Sequence, residues 1–320
     1  MLQYLLKISS KHNALVLTNM SHTLFHARLV FQSFQNAPLL SVRVCHNHPL
    51  VCIHVSHVLY FPVLFCSRRV RALANQHGVH MHMDGSRLME VLPFYGKAAS
   101  EITGLFDSAV TSFTEGLCAL SGAMLMGSAE LVADAKLWQT RLGDSAVLPY
   151  GWTDSKSRWD AATASDCFRH RFERLTKLVA VLREDMLVMG SVRFTPEVIC
   201  SCTTHVYMRG AAEDLEAIHE EVCADTGIRI WDHLRGPGFE ARFASSDDDP
   251  WCYFEWTLGE HNMQIPDDVI LDAWAEFGRR LHLWHKARQI KEKAPFLSCK
   301  ISNANVHSIA LNLQGSSINE

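Results

Sequence analysis

The chain has 320 residues, 48% of them hydrophobic, enough to bury one large or two medium cores. Its 30 basic and 34 acidic residues leave a net charge of -4, which argues against any general affinity for nucleic acid. The average hides an asymmetry, because residues 1–83 carry seven Lys or Arg and no acid, hold ten of the 18 histidines, and contain one glycine, Gly78.

Residues 1–65 show no regular alternation of strand and helix patterns, and the first 77 residues lack the glycines of a tight anion-cradling turn. Three readings of this segment stay open. An unrelated or aberrantly spliced piece fits the composition best. An acid-free organellar presequence fits in part, although the apolar run is long and the arginines are sparse. A membrane segment over 49–66 is interrupted by His54, His57 and Pro62. Cys45, His48, Cys52 and His54 place four soft ligands close together, but at a spacing that matches no zinc module, so no metal is expected. The ten scattered cysteines read as free thiols in a reducing compartment, with the cytoplasm as the default location.

From there the pattern is regular. Residues 68–77 have helical spacing ended by Gly78, and 79–84 read as a strand that leaves Asp84 at its end before a Gly85 turn. A short helix is expected from Leu88 to Val91, interrupted by Pro93. Residues 98–105 lead into a buried strand over 106–113, with Glu115 just beyond it. The small residues of 119–127 predict a turn and a strand, and Ser128 an N-cap for a helix over 129–141. Pro149, Gly151 and the polar 153–160 stretch predict a break before one long helix over 161–189. Strands near 191–195 and 203–208, a helix at 213–226, strands near 228–232 and 252–258, and a last helix from Pro266 to Lys286 complete a smaller alpha+beta domain. An irregular tail is expected over 287–320.

Asp84-Gly85-Ser86-Arg87 at the strand end, Ser112-Phe113-Thr114-Glu115-Gly116-Leu117 some thirty residues on, Phe94-Tyr95-Gly96, Leu120-Ser121-Gly122-Ala123 and Phe254-Glu255-Trp256-Thr257-Leu258-Gly259 occur in one order. That order resembles the threonine aldolase and aromatic amino acid beta-eliminating lyase family, which uses pyridoxal 5'-phosphate (PLP). The resemblance runs over residues 66–283 and is strongest over 78–143. It implies an alpha/beta, fold-type-I PLP-dependent transferase-like chain. Residues 66–160 would be a partial PLP-binding large domain, 161–286 a smaller C-terminal alpha+beta domain with its connecting helix, and 1–65 an unmatched segment.

The resemblance also implies roles. Asp84 would face the pyridine nitrogen of PLP, with a strand-end Asp capping the next turn as the plainer reading. Arg87 would bind the carboxylate of a small amino-acid substrate, against an ordinary helix-start arginine paired with an acid. His82 shares a strand face with Asp84 and either lines the pocket or packs in the core. Ser112 and Thr114 are candidate phosphate contacts, or simply end the strand and support the turn. The family's Schiff-base lysine falls at Glu115, which can accept a proton but cannot form an imine. The implied activity is amino-acid lyase chemistry, with a homo-oligomer completing the site. Glu115 sets against it two alternatives: a non-catalytic paralogue and an incomplete gene product.

Overall fold

The computed structural model describes residues 41–44, 50–54, 68, 71–72, 74–76, 80–120, 122–141, 149–236 and 250–293. Two compact units divide the chain: residues 1–173 with 198–203, and residues 174–197 with 204–320.

The first unit carries a five-stranded sheet in the order β1 (Ser41–Val44), β2 (Leu50–His54), β3 (His80–Asp84), β4 (Ser108–Ser112), β5 (Ala123–Gly127). β2, β3 and β4 run parallel, and the outer strands β1 and β5 are antiparallel to their neighbours. Residues 41–44 and 50–54, which carry no family pattern in the sequence, thus supply two strands, with Cys52 opposite His82 and His54 opposite Asp84. Residues 50–54, within the stretch weighed as a membrane segment, are a strand of this sheet; Cys45, His48, His57 and Pro62 lie outside the described residues.

β3 is central and covered. Met81, His82 and Met83 are all buried, as in a strand covered on both faces. Helix α1 (Leu88–Tyr95) packs Leu88 and Val91 with Met83, Ala109, Cys200 and Ile102 of α2 (Ala99–Thr103). Pro93 does not stop α1. It sits in the last turn, where the helix ends anyway at Gly96, whose left-handed φ of 59° lets its N–H reach the Leu92 carbonyl. Ser128 caps α3 (Ala129–Arg141) as expected, its Oγ accepting from the Leu131 N–H at 3.2 Å.

The expected break near 149–160 is instead a helix, α4 (Pro149–Ala164), and the expected long helix is three pieces. Pro149 takes the first helical position, where its missing N–H costs nothing. Beyond α4 come α5 (Cys167–Glu184) and the short α6 (Met186–Met189), which Asp185 caps by accepting from the Leu187 and Val188 N–H groups. A polar cap inside an apolar run is what divides a helix that periodicity alone reads as continuous.

The second unit has a three-stranded sheet in the order β6 (Val192–Thr195), β7 (Thr203–Arg209), β8 (Trp251–Thr257), with α7 (Ala212–Thr226) and α8 (Asp267–Lys293). Thr203 at the head of β7 belongs to the first unit. Residues 228–232 do not form the expected strand; an isolated bridge pairs Arg235, three residues further on, with Tyr253. α8 runs seven residues past the expected Lys286, to Lys293; residues 294–320 of the expected tail lie outside the described residues. The core joins Leu175, Leu178, Val206, Met208, Leu215, Ile218, Trp274 and Phe277. Arg174 fastens the start of α8 by donating to Asp267 at 2.6 Å and to the carbonyls of Asn262 and Ile265.

Candidate functional site

Because β2, β3 and β4 are parallel, their carboxyl ends lie along one edge of the sheet, where open alpha/beta folds place ligand groups. Asp84 ends β3 there, half-buried and paired in register with Val110 of β4. The next residue has to be glycine. Its N–H donates to the Val110 carbonyl at 2.7 Å, and a Cβ at Gly85 would sit 2.9 Å from both that oxygen and Met83 Cε. Asp84 Oδ1 accepts from the Ser86 N–H at 3.2 Å and from its hydroxyl at 2.6 Å, which is the turn-capping arrangement.

Arg87 lies between two acids. Its Nη1 donates to Glu90 Oε1 at 2.9 Å and to Thr203 Oγ1 at 3.2 Å, and its Nε lies 3.5 Å from Glu115 Oε2. Glu90 is 1% exposed, and its second oxygen accepts from the Thr203 hydroxyl at 2.9 Å. The carboxylate fits there because Gly116 has no side chain, a Cβ at that position falling 3.1 Å from Glu90 Oε1. Sequence reading missed Glu90, Gly116 and Thr203. An acid three residues after Arg87, in the otherwise apolar run Leu88-Met89-Glu90-Val91-Leu92, is a legible signal for the first. Nothing local marks Thr203, 116 residues away.

Glu115 sits in the turn after β4, its side chain 37% exposed. That turn is closed on itself: the Ala119 N–H donates to the Phe113 carbonyl at 2.8 Å and the Phe113 N–H to the Gly122 carbonyl at 2.9 Å. Arg171 donates to the Gly116 carbonyl at 3.2 Å, and Asp154 accepts from the Leu120 N–H at 2.9 Å. Ser112 and Thr114 come together, their hydroxyls 2.9 Å apart, and the Thr114 N–H donates to Ser112 Oγ. His82 is set apart from this group, 3% exposed and hydrogen-bonded through Nδ1 to Ser108 Oγ at 2.7 Å. Cys200 and Cys202 are buried beneath the edge. Burial pushes the Cys200 thiol up to about 12 and that of Cys202 well above its ordinary value, so neither is a nucleophile near neutrality.

Residues 62–147 match the family model of the beta-eliminating lyases. Among solved structures, the chain is 26% identical to a protein assigned as an L-allo-threonine aldolase from Listeria monocytogenes EGD-E, covering 72% of this chain and 60% of that one with a TM-score of 0.61. It is 25% identical to a protein assigned as an aromatic amino acid beta-eliminating lyase/threonine aldolase from Exiguobacterium sp. 255-15, over 71% of this chain and 61% of that one with a TM-score of 0.60. The chain shares the fold-type-I architecture of these two structures and, over residues 62–147, resembles the beta-eliminating lyases. It is also 34% identical over 76 residues to an alanine racemase from Cochliobolus carbonum, a stretch that covers 24% of this chain and 19% of that protein. The chain therefore spans about three fifths of the two lyase-like structures and a fifth of the racemase.

The residues present fit PLP, the cofactor of the enzymes that the chain resembles, only in part. Asp84 is an acid at the end of the central parallel strand, as a pyridinium partner requires. The amine that would hold the aldehyde has no counterpart at Glu115, and two other described lysines of this unit are engaged, Lys97 with Glu101 at 3.1 Å and Lys156 with Asp160. A covalent anchor does not fit position 115, because a carboxylate forms no imine.

In the second unit, Glu216, His219 and Glu220 bring ligand atoms within 4.8 Å of one another. His219 Nε2 accepts the Ile230 N–H at 3.0 Å, so the neutral ring carries its proton on Nδ1, the nitrogen facing Glu216. That proton takes the lone pair a metal would need. Among the described residues, no helix is long and apolar enough to cross a membrane.

Proposed function

We propose that this chain is a non-catalytic relative of the PLP-dependent amino-acid lyases, which keeps a ligand site for a small amino acid without the covalent chemistry. The observation that carries the reading is the Glu115–Arg87 pair. At the position that the resemblance gives to the Schiff-base lysine stands a carboxylate, and it is directed at the arginine that the resemblance gives to the substrate carboxylate. An amine there would attack an aldehyde; a carboxylate neutralises its neighbour instead. Loss of a positioned acid or base alone removes about 10^2- to 10^4-fold in rate, and loss of the anchor removes the attachment as well.

Asp84 favours a second reading, an active lyase that cleaves a beta-hydroxy amino acid to an aldehyde and glycine, or eliminates at the beta carbon, with its amine supplied from elsewhere in the chain. Borohydride trapping of folded protein after PLP addition, followed by peptide mass mapping, separates the two. We expect no specific label on any lysine of the native chain, and a label on residue 115 in Glu115→Lys. A single labelled lysine in the native chain would overturn the non-catalytic reading and restore the lyase.

A further inference from the structure

We propose that Glu90 is the positioning residue for Arg87 and that Glu115 is its exchangeable counter-ion, so that a small carboxylate ligand enters by displacing Glu115. The proposal rests on the assignment of Arg87 as the carboxylate-binding arginine and says how this chain in particular regulates that group.

The two acids differ in every property that decides which of them leaves. Glu90 is 1% exposed and both its oxygens are used, one by Arg87 at 2.9 Å and one by Thr203 at 2.9 Å. Removing a cation from a desolvated carboxylate leaves a buried charge without compensation, so this pair is permanent. Gly116 keeps it so, since the space a side chain would take is filled by the Glu90 carboxylate. Glu115 is 37% exposed, its oxygen stands 3.5 Å from Arg87 Nε, and water can solvate it when it swings away. A half-exposed ion pair of that kind is weak.

The guanidinium is planar and forked, so one side can stay tied to Glu90 and Thr203 while the Nε side changes partner. Without Glu90 the arginine would follow whichever anion was nearest; with it, an incoming carboxylate finds the donor already oriented. The ligand class is then a small monocarboxylate, and Glu115 lowers its affinity by competing for the same donor.

The test is an NMR titration of the full chain with 13C-labelled acetate at fixed ionic strength, with methylammonium chloride as the control salt. Glu115→Gln should bind acetate about two- to fivefold more tightly, the worth of a half-exposed ion pair. Glu90→Gln should weaken binding in both backgrounds, with Glu90→Asp recovering part of the loss. Equal affinity in the native chain and folded Glu115→Gln would overturn the proposal, as would unchanged affinity in folded Glu90→Gln. Should Glu90→Gln fail to fold, Glu115→Gln alone decides. Acetate binding to neither the native chain nor Glu115→Gln would refute the assignment of Arg87 itself, whereas the borohydride result bears only on the missing amine.

Discussion

The imidazole of His219 lies flat on the indole of Trp231, with ring centroids 3.8 Å apart and planes 19° from parallel, while its Nε2 takes the Ile230 N–H. Stack and hydrogen bond use different parts of one side chain. His219→Phe should keep the first and lose the second, costing about 1–3 kcal/mol for the unsatisfied amide, measured by urea unfolding followed through tryptophan fluorescence.

The same residue sets a pH dependence. Burial pulls the His219 imidazole below its ordinary 6.5, against a smaller opposing pull from Glu216. The folded state then binds fewer protons than the unfolded one, so this contribution is complete above pH 6.5 and is lost as pH falls towards the depressed folded value. Urea midpoints between pH 7 and 5 should fall more steeply in the native chain than in His219→Phe, and parallel curves would refute this assignment.

A second titration lies lower. Hydrogen bonds from Arg279, then Arg280, hold the Glu276 carboxyl down to about 2 against the cost of its burial. Stability contributed by Glu276 is present above its ordinary 4.5 and declines as pH drops towards about 2. Glu276→Gln should flatten that part of an acid-unfolding curve and leave the higher-pH part unchanged.

The two acids around Arg87 should separate by stability. Glu90→Ala strands a largely buried guanidinium and is expected to cost about 3 kcal/mol or more, while Glu115→Ala should change stability by less than about 1 kcal/mol. Chemical denaturation of both variants checks this; equal costs would contradict the burial difference between them.

Gly278 of α8 gives a sign that propensity alone gets wrong. Alanine is about 1 kcal/mol better than glycine inside a helix, yet a Cβ here would lie 2.8 Å from Val188 Cγ2 and 3.0 Å from the Val188 nitrogen. Backbone cannot move aside as a side-chain tip can, so Gly278→Ala should lower the thermal midpoint.

Much of the architecture was legible because period and punctuation agree: Gly85 follows the end of β3, Ser128 caps α3, and Pro266 precedes α8, while Gly78 lies outside the described residues. Errors arose where a local signal carried two meanings. Pro149 and Gly151 marked a helix start, not a gap, and Ile228-Arg229-Ile230-Trp231 has strand-like residues whose rings and backbone are used against His219 instead. At the site, Asp84, Arg87 and Glu115 were visible from motif order, whereas Thr203 meets Arg87 only through the tertiary path of the chain.

That path has a practical consequence. Residues 198–203 leave the second unit to join the first and supply Cys200, Cys202 and Thr203 to it. The first unit is therefore not a continuous stretch of gene. A clone stopped at Glu173 would express the sheet, both acids and Arg87, yet leave Glu90 with one of its two donors gone and two core sulfurs missing. Expression boundaries for this protein should be drawn beyond Thr203, and deletion mapping that ignores the excursion would mistake a folding defect for a lost activity.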